Sequence, residues 1–223
     1  MTIYQMLQEA QDEGYQVFQA KLVPNIPAET IIGVRTPEMR RIAKEVDASD
    51  YRDEFLASLP HAYYEENLIH FFILAMIRDF DSCVQAVDTF LPYVDCWPVS
   101  DQASPKTFKK YHEALLPHIH RWIGSSHVYT ARFGMRMLMN EFLGEDFREA
   151  YLEEVAARGG DDYYLQMMEA WFFATALAKQ YDATVPYIAE HRLSDQVHRM
   201  AIRKALESYR VSDAHKEFLR GCR

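Results

Sequence analysis

The chain has 223 residues, of which 49% are apolar and 26% charged, and its 24 Lys and Arg stand against 33 Asp and Glu for a net charge of −9. That much apolar mass builds a sizeable core and excludes a disordered chain, while no apolar run reaches the ~20 residues of a membrane span. The acidic balance excludes a globally basic nucleic-acid-binding surface, although a local basic patch is compatible with it.

Only eight glycines occur, and β-branched residues are sparse beside Leu, Ala, Met, Glu and Gln, so helices are expected throughout. The first residues, MTIYQMLQEAQDEG, lack the basic-then-apolar pattern of a secretory leader, and a cytoplasmic protein is expected. The three cysteines, Cys83, Cys96 and Cys222, form no CxxC pair. Free, buried thiols are expected, with no disulfide frame and no zinc site.

Residues 1–20 carry three acids and no Lys or Arg. KLVPNIP, at 21–27, interrupts the helical pattern. GVRTPEMRRIAK, at 33–44, resumes it, with Thr36 as the expected N-cap and Pro37 at the first helical position. Arg40, Arg41 and Lys44 share a basic face, read first as a solvated one. FFILAMI at 71–77 and MMEAWFFATALA at 167–178 are apolar nearly all round, as helices sandwiched between neighbours are. Phe147, Tyr151 and Val155 make a stripe at i, i+4, i+8 on a more amphipathic outer helix. Ser82, Ser125 and Asp161 stand where N-caps are expected, and Gly124 and Gly159-Gly160 break the pattern between units.

The segments repeat. Leu91-Pro92-Tyr93-Val94-Asp95-Cys96-Trp97 matches Leu116-Pro117-His118-Ile119-His120-Arg121-Trp122, and Val185-Pro186-Tyr187-Ile188 is a third copy. Segment starts fall at Tyr64, Tyr129, Tyr164 and Asp195. A period of about 25–35 residues with two helices per unit is the mark of a helical solenoid. TPR and ankyrin signatures are absent. The expected fold is therefore all-α: one domain over residues 1–223, a right-handed HEAT-like repeat solenoid with a concave groove.

VDCWPVSDQASPK, at 94–106, holds the candidate chemistry. In a helix, Trp97 and Asp101 stand at i and i+4 and share a face. Pro98 then sits in the first turn, and Asp101 is expected there too, favoured by the helix dipole. A repeat corner made by a core-capping Trp and a first-turn acid is the simplest account. Lys106, Lys109 and Lys110 are expected on the same helix. Arg132 and Arg136 open the inner helix of the next unit, and Trp171 lies on the inner helix after that. Lined along one groove, two indoles, a carboxylate and several cations suit a flat cationic ligand on a phosphate chain.

The stretch IIGVRTPEMR at 31–40, the Trp97–Asp101 spacing and the segment from Tyr163 to Trp171 together resemble the HEAT-like-repeat DNA alkylation repair enzymes, the AlkD-like alkylpurine DNA glycosylases, over nearly the whole chain. The resemblance implies hydrolysis of the N-glycosidic bond of cationic alkylpurines such as 3-methyladenine and 7-methylguanine in double-stranded DNA. It implies Asp101 as the carboxylate, Trp97 and Trp171 as aromatic walls, and Arg132 as a backbone contact. No cofactor is implied, and a monomer is expected. The chain departs from the family at Ala174, where a basic residue is usual three positions after the second tryptophan, and in its acidic first 20 residues. A non-catalytic HEAT scaffold that binds DNA structures or protein partners is the alternative.

His112, His118, His120 and His127 cluster in sequence, but His118 and His120 cannot share a helix face, and no metal site is expected. No GxGxxG, P-loop, GxSxG or HExxH motif is present.

Overall fold

The computed structural model describes residues 2–222, which form helices and their connections with no strand among them. Two compact units divide the chain, one ending at Tyr111 and the other beginning at His112. The first contains α1 (Ile3–Glu9), α2 (Glu13–Leu22), α3 (Thr36–Asp47), α4 (Arg52–Ala57), α5 (Tyr64–Leu74), α6 (Phe80–Phe90) and α7 (Trp97–Gln102). The second contains α8 (His112–Ile123), α9 (Val128–Phe142), α10 (Ala150–Arg158), α11 (Tyr163–Lys179), α12 (Tyr181–Ala189), α13 (Asp195–Glu207) and α14 (Asp213–Gly221).

In the N-terminal unit, α5 is the core helix. It is buried along its whole length apart from Glu66, and α3, α6 and α7 pack against it. Each fully buried Leu, Ile or Phe there contributes about 1.5–3 kcal/mol. Glu66 reaches back to accept from the amides of Ala62 (3.1 Å) and Tyr63 (3.0 Å), which caps the helix start.

Glu65 is the polar exception in this core. Its carboxylate accepts from the amides of Ile32 (3.0 Å), Gly33 (2.7 Å) and Val34 (3.3 Å). Burial pushes its carboxyl up, and the amide bonds oppose that. Gly33 takes φ +95°, and a Cβ there would stand 2.6 Å from Gln16 Cβ and 2.7 Å from Asp12 O. Only glycine fits that backbone. The GVR stretch is thus a clamp that sets where α3 begins, and Arg35 completes it by pairing with Asp12 at 2.8 Å.

In the C-terminal unit, α9, α11 and α13 stack side by side. α8 packs on α9, α10 and α12 pack on α11, and α14 packs on α13. This is the layering of a helical repeat. Gly134 lets α8 and α9 meet closely, since a Cβ there would lie 2.7 Å from Ile123 N. The starts expected at Tyr64, Tyr129, Tyr164 and Asp195 fall within one residue of α5, α9, α11 and α13.

Several local expectations are corrected. Arg35, not Thr36, is the N-cap of α3. The cap of α6 is Asp79, whose carboxylate accepts from the Ser82 amide; His127 caps α9 in place of Ser125, and Asp162 caps α11 in place of Asp161. In each case the cap is the residue directly before the first helical one, and the helix starts a few residues from where the spacing placed it. Phe147 precedes α10, so the stripe keeps only Tyr151 and Val155, both buried. The Leu-Pro copies are not equivalent: Leu91–Tyr93 is a separate 3-10 helix, whereas Pro117 and Pro186 lie inside α8 and α12. Arg40, Arg41 and Lys44 are exposed, and Arg41 bridges Glu38 and Glu45. The three cysteines are free, Cys83 and Cys96 buried and Cys222 partly so.

Candidate functional site

The candidate site begins at Cys96, whose extended backbone turns the chain into α7 with Pro98 in the first turn. α7 is only six residues long. Asp101 is its fifth residue, beyond the first turn where it was expected, because helical geometry starts at Trp97. The lysines are not on this helix. α7 stops at Gln102, Ala103 is extended, and Lys106–Lys110 forms a separate 3-10 helix after Pro105. Pro105 forces that break, since the residue before a proline is held out of the helical region.

Trp97 and Asp101 are both partly exposed, on a helix otherwise buried at Pro98, Val99 and Ser100. The indole Nε1 of Trp97 donates to Leu22 O at 3.2 Å, and Asn25 Nδ2 donates to Asp95 O at 2.7 Å. The KLVPNIP interruption therefore braces the approach to α7. Ser100 Oγ lies 3.0 Å from Trp97 O and 3.1 Å from Asp101 Oδ1, so its single proton serves one acceptor at a time. From the other side, Arg40 Nη2 donates to Gln102 O at 3.0 Å while its guanidinium lies over the Phe72 ring at 4.2 Å. Thr36 Oγ1 adds a 3.1 Å bond to Gln102 Oε1. A six-residue helix is marginal by itself, and α7 is held by α2 at its start and by α3 at its end. Beneath it, burial pushes the Cys96 thiol well above its usual range, with Asp95 the next contributor.

Leu22, Asn25 and Gln102 were not singled out from the sequence, and Arg40 was not assigned to this site. KLVPNIP was visible as an interruption and Arg40 as part of a basic face; their contacts to α7 are long-range and carry no local signal.

Arg132, Arg136 and Trp171 belong to the other unit. Arg132 is 4% exposed and Arg136 9%. Arg132 Nη1 donates to Tyr164 O at 2.6 Å, tying α9 to the first turn of α11. Trp171 is 38% exposed on a helix whose other large apolar side chains are mostly buried. Beside it opens a recess of about 250 Å³ lined by Ala174, Thr175, Lys204, Glu207 and Ser208. Burial holds the Lys204 amine below its usual range; Glu207 opposes this, while Arg132 and Arg203 add to it. A lysine from α13 therefore stands beside Ala174, where the side chain on α11 itself carries no charge. Two residues before Trp171, burial raises the Glu169 carboxyl to about 7, opposed by Arg158.

Two of the clustered histidines, His112 and His120, pair with acids. His112 Nδ1 lies 2.6 Å from Asp146 Oδ2, and His120 Nδ1 2.8 Å from Glu154 Oε1. Among the described residues no group of three His, Cys, Asp or Glu side chains is placed to hold a metal ion, and no helix is long and apolar enough to cross a membrane.

No curated protein matches the chain. Its sequence does match the family model of the DNA alkylation repair enzymes over residues 3–209, and the chain belongs to that family.

Proposed function

We propose that the protein is a DNA glycosylase that hydrolyses the N-glycosidic bond of cationic alkylpurines, 3-methyladenine and 7-methylguanine, in double-stranded DNA. The observation that carries this is α7: a short helix braced from both ends that presents an indole and a carboxylate, partly exposed and at i, i+4, in a chain of the alkylation repair family. An alkylated purine already bears positive charge. The C1′–N bond breaks with its electron pair passing to the purine, which leaves neutral. Asp101 stabilises the oxocarbenium character that develops on the sugar and orients a water. The water oxygen bonds to C1′, and its proton passes to the carboxylate or to solvent. No cofactor enters this chemistry.

Trp97, beside Asp101, offers an aromatic face to the lesion nucleotide, and Trp171 is a partly exposed aromatic face of the C-terminal unit; a face of π electrons attracts a cationic base. Lys106, Lys109 and Lys110, all exposed, meet phosphates. Arg132, being buried, supports that binding by fixing α9 against the start of α11, and Arg136 is buried one turn further along α9. The stacking of α9, α11 and α13 supports a HEAT-like helical repeat in the C-terminal unit.

The test is release of 7-methylguanine and 3-methyladenine from methylated duplex DNA at low salt, with wild type and Asp101→Asn in parallel. Release by the wild type and a loss of about 10²-fold or more in the folded variant are expected. Equal release removes Asp101 from the mechanism. No release from folded wild type replaces the enzyme with a non-catalytic scaffold that binds DNA or protein.

A further inference from the structure

The N-terminal unit holds a second feature that α7 does not use. A recess of about 650 Å³ is lined by Arg78, Lys106, Lys110, Thr107, Asp47 and Tyr111, together with Met76 and Ile77. Three cations therefore face one cavity on a chain of net charge −9. None of the three has a carboxylate at ion-pair distance among the described residues. The one acid in the lining, Asp47, is already engaged by Arg52 Nε at 2.8 Å.

The recess is also built rather than draped. Thr107 Oγ1 donates to Arg78 O at 3.2 Å, and the Lys106 amide donates to Ala75 O at 3.5 Å. These bonds stitch the 3-10 helix of the lysines to the connection between α5 and α6 that carries Arg78. Tyr111 stands half-exposed at the rim, its ring centroid 5.1 Å from that of Phe80. Like charges gathered without a counter-charge repel one another, and an anion visiting the cavity relieves that repulsion.

The position relates the recess to Asp101. Arg40 on α3 holds the end of α7, and Asp47, the last residue of α3, lines the recess. Seven residues of helix separate Arg40 from Asp47, which is roughly 10 Å at ~1.5 Å per residue.

We infer that the recess is a phosphate site that grips the backbone of the DNA strand near the nucleotide presented to Asp101, with Arg78 as its principal ligand beside Lys106 and Lys110. The inference rests on the DNA-binding part of the function proposed above. An Arg fork suits a phosphate bidentately, the two lysines add point charges, and Tyr111 offers a face to the adjoining sugar or base.

The experiment is duplex-DNA binding by fluorescence anisotropy across a salt series, with wild type, Arg78→Ala/Lys110→Ala, Arg78→Lys, and a control, Arg210→Ala/Arg220→Ala, that removes two charges elsewhere. Both pocket residues are exposed, so circular dichroism and Tm should stay as in the wild type. The pocket variant should lose roughly tenfold in affinity at low salt, and its log K against log[salt] slope should shrink by about 1–2. Arg78→Lys should recover most of the affinity, and the control should keep the wild-type slope. A pocket variant with wild-type affinity and slope overturns the phosphate site, as does a control that falls equally. Base release is scored separately. Absent release from a wild type whose binding depends on Arg78 and Lys110 overturns the glycosylase and supports the site.

Discussion

The indole Nε1 of Trp97 donates to the main-chain carbonyl of Leu22, 3.2 Å away and 75 residues earlier in the chain. The last residue of α2 thereby sets the plane of the ring that opens α7. Trp97→Phe keeps an aromatic face but gives up this bond, and Trp97→Ala gives up both. Trp97→Phe should unfold within about 1 kcal/mol of wild type and retain most base release. Trp97→Ala should release methylated purines at least tenfold more slowly. Single-turnover kinetics with urea unfolding in parallel checks both, and equal rates for the two variants would show that the ring face is not used.

Ser100 Oγ lies 3.1 Å from Asp101 Oδ1 and is buried. Ser100→Ala removes a hydroxyl that orients the carboxylate without touching substrate. A several-fold drop in kcat with an unchanged KM is expected, and Ser100→Thr should restore part of it. A change confined to KM would assign Ser100 to binding instead.

The Glu65 clamp should govern the stability of the N-terminal unit. Glu65→Ala leaves three amides, those of Ile32, Gly33 and Val34, without their acceptor, at a cost of about 3 kcal/mol or more. Glu65→Gln, which keeps one acceptor oxygen, should fall between that and wild type. Gly33→Ala combines a positive φ with contacts under 3 Å and should cost about 2 kcal/mol or more. Urea midpoints at fixed pH order the three variants, and Glu65→Ala as stable as wild type would contradict the clamp.

His61 Nε2 and His70 Nδ1 lie 2.8 Å apart, and His70 stacks on Phe90 at 4.0 Å. Burial lowers His61 to about 4 and His70 to about 3; the charge of His61 adds to the second shift. Unfolded histidines take up protons near pH 6.5. The stability this pair contributes is whole above pH 6.5 and is lost as the pH falls toward 4 and then 3. Between pH 7 and 4.5 the wild type should lose several kcal/mol, at most about 5, that His61→Leu/His70→Leu does not. Parallel curves for the two proteins in a pH series of thermal melts would remove the pair from acid sensitivity.

Cys83 and Cys96 are buried, and burial pushes the Cys83 thiol up to about 12. Only Cys222 should react with a thiol-specific disulfide reagent at neutral pH in the folded protein, and all three in denaturant. Rapid labelling of Cys96 in the native state would mean that α7 opens readily.

The helices themselves were legible in the sequence. Apolar runs such as 71–77 and 167–178, the punctuation by Gly124 and Gly159-Gly160, and the starts near Tyr64, Tyr129, Tyr164 and Asp195 all report local periodicity and local breaks, which a sequence carries directly. The pairing of Trp97 with Asp101 was legible for the same reason, as was the resemblance borne by GVRTPEMR. Cap positions slipped by a few residues because several neighbouring polar residues can cap equally well, and the packing that fixes where each helix begins chooses among them. Pro105 was read past, and with it the break that moves Lys106, Lys109 and Lys110 off α7.

What only the tertiary structure decided is what each of these groups meets. Glu65 beside Gly33, Leu22 beside Trp97, Arg40 beside Gln102 and Arg78 beside Lys106 and Lys110 are contacts between segments far apart in the chain. They are fixed by which helices pack together, and no periodicity or spacing encodes that. The same holds for Arg132, whose position on α9 was legible but whose burial against Tyr164 O was not, because a guanidinium reads as exposed until a neighbouring helix supplies the carbonyl that receives it.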